Sequence, residues 1–189
     1  MQRAHGAVLE VVRPEYSLDE WRPASQTLRR GRGSCSQRFA VLEAVSRARG
    51  IATRVRGLAV DGTFWYPRFP RLKSLVPGRV ILAWPEFALP EGWVSVSEVF
   101  GSLDELRDRS NDLRFANDGE SLFEAIGLSA IDWDGETSSE GATASCDLSN
   151  VVGEDLGLFD SRDELFESHR TVRRTVVRMI DPVLRLATR

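Results

Sequence analysis

The chain has 189 residues, 42% of them hydrophobic and 28% charged, with a formal net charge of −3, enough for one well-packed domain over residues 1–189 and short for two. No apolar run reaches membrane-spanning length, and Met1 to Gly6 lacks the apolar core of a signal peptide, so a soluble, cytoplasmic protein without membrane partners is expected. Two cysteines, Cys35 and Cys146, fit a reducing compartment better than a disulfide scaffold, and neither a metal nor a cofactor is expected.

The net charge hides a division. Residues 1–97 carry 15 basic and 8 acidic side chains, residues 98–160 carry 3 and 16, and residues 161–189 carry 7 and 4. The acidic middle reads as a solvated surface or an acidic loop and argues against nucleic acid as a partner. All basic residues except Lys73 are arginine, which says more about a GC-rich, bacterial type of coding than about function.

In chain order, Val8 to Val12 is an apolar run that fits a strand or a helix start. Ser17-Leu18-Asp19-Glu20 has capping-box spacing and predicts a short helix toward Leu28, with Pro23 early in it or kinking it. Arg29 to Gly33 is a basic turn leading to Ser34, a good N-cap residue, and Gln37 completes a second capping box. Cys35 then falls in the first turn of a helix with Phe39, Leu42 and Val45 on one side, ending at Gly50. Unpaired amides at such an end favour an anion, which makes Cys35 a candidate nucleophile; a buried structural cysteine is the alternative.

Ile51 to Val60 alternates aliphatic residues with Arg54 and Arg56 and predicts a half-buried strand, its arginines solvated or available to an anionic group. After the Asp61-Gly62 turn, Phe64 to Pro77 holds three prolines and several aromatics, predicting an irregular loop that lines a pocket or packs over the sheet. Arg79 to Phe87 and Trp93 to Ser97, joined by Pro90-Glu91-Gly92, predict an antiparallel hairpin. A helix followed by three strands makes an α+β core. Ser102 to Glu105 predicts a short acidic helix, residues 120–128 another, and Gly135 to Ser145 a low-complexity loop, while Asp147 to Asp160 is ambiguous. Ser161 to Glu164 caps a last helix with the stripe Leu165, His169, Val172, Val176 and Ile180, ended or kinked by Pro182.

Gly33-Ser34-Cys35-Ser36-Gln37, followed by Ala40, Leu42, Ala44, Arg47-Ala48 and Gly50 to Val55, resembles the nucleophile region of the transglutaminase-like superfamily, the papain-related cysteine fold. In that family the Cys helix packs on an antiparallel sheet. The next strands carry His-x-Trp-x-Glu and, after Gly-x-Trp, an Asp. Leu82-Ala83-Trp84-Pro85-Glu86 and Gly92-Trp93 through Ser97 match that layout, and the match spans about residues 25–100. The resemblance implies an antiparallel β-sheet against the Cys35 helix, with a C-terminal helical extension that it does not cover. It also implies a cysteine acyltransferase or an amide or thioester hydrolase in peptide or natural-product biosynthesis, with a peptide, amide or thioester substrate, free or carrier-protein bound.

In the register set by Trp84 and Glu86, the family's histidine falls on Leu82 and its aspartate on Ser97. Leucine accepts no proton, and a serine hydroxyl carries no charge to hold an imidazolium, so the triad is incomplete. Two substitutes for the base are His169, facing inward on its helix stripe, and Glu86, on the period-2 face with Leu82 and Trp84. Structural roles stand beside both, as a core histidine and as a carboxylate holding a backbone amide; His5 lies in an N-terminal tail. The candidate catalytic residues are Cys35, Glu86 and His169, and the candidate substrate-binding residues are Leu82, Trp84, Trp65 and Ser97. Two other readings stay open: a non-catalytic member that binds a peptide or carrier-protein partner, and an apolar-cleft cyclase or isomerase.

Overall fold

The computed structural model describes residues 1–67, 69–100, 122–128, 152–169 and 177. In chain order they form α1 (Gln2–Val11), β1 (Arg13–Pro14), α2 (Ala24–Arg30), β2 (Arg32–Gly33), α3 (Cys35–Ala48), β3 (Thr53–Asp61), β4 (Arg79–Leu89), β5 (Gly92–Ser95), β6 (Val152–Phe159) and α4 (Arg162–Ser168). Short 3₁₀ turns follow β3, precede β4 and cover Glu98–Phe100 and Ala125–Leu128. The predicted acidic helix at Ser102, the loop at Gly135 to Ser145, Cys146 and the apolar positions Val172, Val176 and Ile180 lie outside the described residues.

Four strands make one antiparallel sheet in the order β5-β4-β3-β6. The β3–β4 pairing sets Arg54 opposite Glu86, Arg56 opposite Trp84 and Leu58 opposite Leu82. The turn into β5 is made at Gly92, whose φ of 127° favours glycine. Pro85 has no N–H to give the ladder; its carbonyl accepts from Val96 N at 2.9 Å, just past the end of β5. The fourth strand, β6, comes from the ambiguous stretch beyond the resemblance. Its register skips between Gly57 and Leu58, so Leu156 is left over as a bulge.

Alternation along β3 and β4 sends side chains to two faces. Leu58, Val60, Leu82 and Trp84 join Phe39, Val41 and Leu42 of α3 and Val8 and Val12 near α1 in one buried cluster. Val55, Ala59, Ile81 and Ala83 join Leu165 and Phe166 of α4 in the other. Gly57 makes the second contact close, because a Cβ there would lie 2.5 Å from Leu165 Cδ1. Helix α3 is buried on nearly every side from Ser36 to Glu43, whereas Val45, expected on its apolar face, is 36% exposed.

Two local expectations are corrected. The Ser17 to Glu20 spacing opens no helix: α2 begins after Pro23, and Ser17 Oγ accepts instead from Asp19 N at 3.2 Å. His5 is in α1, not in a loose tail. It is 6% exposed, stacks on Phe123 with ring centroids 4.6 Å apart, and donates from Nε2 to the Phe123 carbonyl at 2.7 Å. Burial pushes its pKa below the ordinary histidine value, and the Arg38 charge adds to that, against the Phe123 hydrogen bond and Glu124.

Candidate functional site

The capping box predicted at Ser34 is present. Ser34 Oγ accepts from Gln37 N, and Gln37 Oε1 accepts from Ser34 N, each at 3.2 Å. Gln37 is also a tertiary hub. Its oxygen accepts from Arg22 Nη1 at 3.0 Å, and its amide donates to Ser17 Oγ at 3.1 Å and to the Asp19 carbonyl at 2.8 Å. The N-terminus of α3 is thereby tied to the non-helical loop of residues 15–22.

Cys35, a free and half-buried cysteine, lines a cavity of about 100 Å³. Its walls come from the 16–20 loop (Tyr16, Ser17, Leu18, Glu20), the start of α3 (Ser34, Cys35, Ser36), the loop after β3 (Trp65, Phe69, Leu75, Val76, Pro77), the start of β4 (Val80, Ile81, Leu82) and Leu122. The lining is apolar apart from the α3 start, Tyr16, Ser17 and Glu20, and Glu20 is the one charged residue among the described lining residues. The Glu20 carboxylate accepts a short hydrogen bond from Ser36 Oγ. Ser36 is itself gripped by Arg162 Nη1, which donates to its carbonyl at 2.8 Å and its hydroxyl at 3.1 Å. The other guanidinium nitrogens of Arg162 hold Glu43 Oε1 at 2.8 and 3.2 Å.

Three of the sequence-derived candidates meet in this cavity: Cys35, Leu82 and Trp65. The other four do not line it. Trp84 is fully buried in the core, its ring centroid 6.2 Å from that of Phe39, and its Nε1 has no hydrogen-bond partner among the described residues. Glu86 is 7% exposed and accepts from Arg54 Nε at 2.6 Å. Arg54, read as a solvated strand residue, is therefore half-buried and engaged, its guanidinium carbon also 4.2 Å from the Trp93 ring centre. Ser97 is buried, with its hydroxyl 3.1 Å from Ser95 Oγ.

His169 caps the C-terminal end of α4 and meets the Phe159 ring edge-on at 5.5 Å. Its Nδ1 is buried without a partner among the described residues. It lines a second cavity, of about 60 Å³, which shares Leu18, Glu20, Pro77, Val80 and Ile81 with the first.

The residues sequence reasoning missed are those of the 16–20 loop, above all Glu20, whose spacing from Ser17 imitated a capping box. Arg38, one turn after Cys35, was also unmarked. It is wholly buried, 4.5 Å from the Phe123 ring centre and 3.5 Å from Glu124, and burial pushes its pKa down against the Glu124 carboxylate. Among the described residues no group of three His, Cys, Asp or Glu side chains forms a metal-binding cluster, and no helix is long and apolar enough to cross a membrane.

No curated protein and no solved structure matches the chain. A family model, the transglutaminase-like superfamily, matches residues 6–97. That span runs from α1 through the Cys35 helix and the β3–β5 meander to Ser97, and it contains the α+β arrangement the resemblance implied. Over residues 6–97, just under half of the chain, the protein is similar to the transglutaminase-like superfamily.

Proposed function

We propose that the Cys35 cavity binds one apolar side chain or short acyl group of a polypeptide ligand, and that Cys35 lines the site without serving as an acyl-thiol nucleophile. The observation that carries this reading is Leu82, which is 6% exposed and shares the cavity with Cys35 at the position where the family places its histidine. A leucine takes no proton from a thiol. Neither His5 nor His169 lines the cavity, and Glu86 is held by Arg54. The volume suits an aliphatic group: about 100 Å³ exceeds the roughly 10–15 Å³ that a single water needs and falls short of the roughly 150 Å³ that holds benzene.

A second reading is favoured by the half-buried position of Cys35 in the capped first turn of α3, where the helix end favours an anion by about 0.3–1 kcal/mol. In it Cys35 attacks a thioester or amide carbonyl, Glu20, in the same cavity, takes the thiol proton and returns it to the departing thiol or amine as the C–S or C–N bond breaks, and water or an amine then releases the acyl group.

One pair of measurements separates them. Binding of N-acetyl-leucine amide is followed by calorimetry, and turnover of leucyl thioesters and amides is followed in wild type and Cys35→Ser. The binding reading expects saturable binding kept in Cys35→Ser, weakened at least about tenfold in Leu75→Asp on the cavity wall, and no turnover. Turnover in wild type that disappears in Cys35→Ser overturns it in favour of the nucleophile.

A further inference from the structure

The two short strands β1 and β2 pair in parallel, with Arg13 beside Arg32 and Pro14 beside Gly33. Because they are parallel, both chains leave the ribbon at the same end. Beyond β1 come Tyr16, Ser17 and Leu18; beyond β2 come Ser34, Cys35 and Ser36; all six line the Cys35 cavity. The ribbon is thus continuous with two walls of the site.

Its surface is strongly basic. Arg13, Arg29, Arg30 and Arg32 are all exposed. The acidic residue packed among them is Glu15, which takes Arg30 at 3.3 Å and Arg32 at 3.7 Å. Arg13 and Arg29 have no ion pair among the described residues. Like charges set side by side across paired strands are unfavourable, and here Arg13 stands beside Arg32, with Arg29 and Arg30 at the end of the helix leading into β2, in a chain whose net charge is −3. The Arg13 backbone N–H, not its side chain, makes the contact to the Gly31 carbonyl, at 3.0 Å, and its side chain has no ion pair among the described residues. Two large apolar side chains, Val11 at 54% exposure and Leu28 at 43%, belong to the helices that flank the ribbon.

We propose that the arginine ribbon is a docking surface for an acidic polypeptide segment, whose carboxylates lie on Arg13, Arg29 and Arg32 while a neighbouring aliphatic side chain enters the Cys35 cavity. This names the partner class for the cavity and rests on the binding reading above. The charge complementarity selects the segment and speeds its arrival, and the cavity supplies the apolar anchor. An oligonucleotide would match the charge but offers no aliphatic group for the cavity.

Calorimetry with the full chain tests this, using acetyl-Glu₄-Leu-Glu₄-amide, its Ser₄-Leu-Ser₄ counterpart and oligothymidine. The expected result is that the acidic peptide binds at least about tenfold tighter than the serine peptide at about 50 mM salt, and that most of the advantage disappears near 500 mM as the charges are screened. Arg13→Glu combined with Arg29→Glu removes the advantage, leaving serine-peptide binding intact as the check on folding; Arg13→Gln with Arg29→Gln does the same to a smaller extent. Equal affinity of the two peptides, an advantage unchanged in these variants, or tighter binding of oligothymidine overturns the docking proposal alone. If neither peptide binds and N-acetyl-leucine amide fails as well, the cavity reading falls with it.

Discussion

Arg162, the first residue of α4, reaches Glu43 in the middle of α3, with Nη2 2.8 Å from Oε1 and both side chains largely buried. The same guanidinium holds Ser36, which in turn holds Glu20 at the cavity wall. A residue from beyond the matched span therefore positions the start of the Cys35 helix. Removing one partner of a buried pair leaves an uncompensated charge. Arg162→Met is expected to lower stability by about 3 kcal/mol, the low end of the usual 3–5, because Arg47 lies 3.7 Å from the other Glu43 oxygen. Arg162→Met with Glu43→Leu should recover most of the loss. Urea unfolding measures both; a single-variant loss below about 1 kcal/mol, the range of exposed pairs, would show the bridge to be incidental.

Gly62 sets the loop that forms one cavity wall. Its N–H donates to the Gly78 carbonyl at 3.0 Å, and a Cβ there would lie 1.9 Å from the Pro77 carbonyl oxygen. Pro77 lines the cavity, so Gly62→Ala must displace backbone rather than a side-chain tip. The expected outcome is weaker binding of N-acetyl-leucine amide together with a lower melting temperature. Affinity equal to wild type would mean that the wall tolerates the shift.

His5 makes stability depend on pH. Its folded-state pKa lies below its unfolded value of about 6.5, so the unfolded chain binds more protons in the interval between the two. Stability then rises with pH through that interval. The contribution is complete above about pH 6.5 and is lost as the pH falls toward the folded value. His5→Phe should flatten the wild-type slope between pH 7 and pH 5, read by urea midpoints at each pH. An identical slope in the variant would remove His5 as its source.

Leu82 and Ser97 can be tested by restoring the family pattern. In Leu82→His with Ser97→Asp, a proton acceptor shares the cavity with Cys35, and the carboxylate that the resemblance calls for is restored to orient it. Thioester turnover at least about 100-fold above wild type, the lower range for a positioned general base, is expected and should vanish when Cys35→Ser is added. A folded double variant with wild-type turnover would show that more than the two side chains separates this site from an acyl-transfer site.

The Glu86–Arg54 pair has a separate signature. Glu86 is 7% exposed but lies outside the cavity. Glu86→Gln is expected to leave binding of N-acetyl-leucine amide within about twofold while lowering stability by roughly 1.5–3 kcal/mol, the scale of a hydrogen bond to a charged group. A loss of affinity larger than the loss of stability would bring Glu86 back to the site.

Much of the matched span was legible because its signals are local. Ser34 and Gln37 cap each other within one turn, Gly50 ends the helix region with a φ of 80°, and the β4–β5 hairpin follows from alternation and Gly92. These need only residues a few positions apart. The same logic failed where a distant residue outbid a near one. Ser17 and Asp19 give their oxygens to the Gln37 amide, 20 and 18 residues away, so a capping-box spacing became a loop that walls the cavity. His5 is held by Phe123, 118 positions on, and no pattern within α1 announces it. Strand β6 was hidden because its bulge at Leu156 breaks the period of two and its exposed edge carries Glu154 and Asp155.

Local chemistry therefore determined the Cys35 helix and the meander, while the placing of Leu82 and Ser97 against the family's histidine and aspartate rests on the resemblance. Only the tertiary structure decided which residues share a cavity with the thiol. It drew Trp84 into the core, paired Glu86 with Arg54, set His169 in the adjoining cavity and brought Glu20 beside Cys35. Capping and alternation depend on neighbours in sequence, whereas a cavity is what remains when several loops pack together, and the buried bonds that fix those loops join residues far apart in the chain.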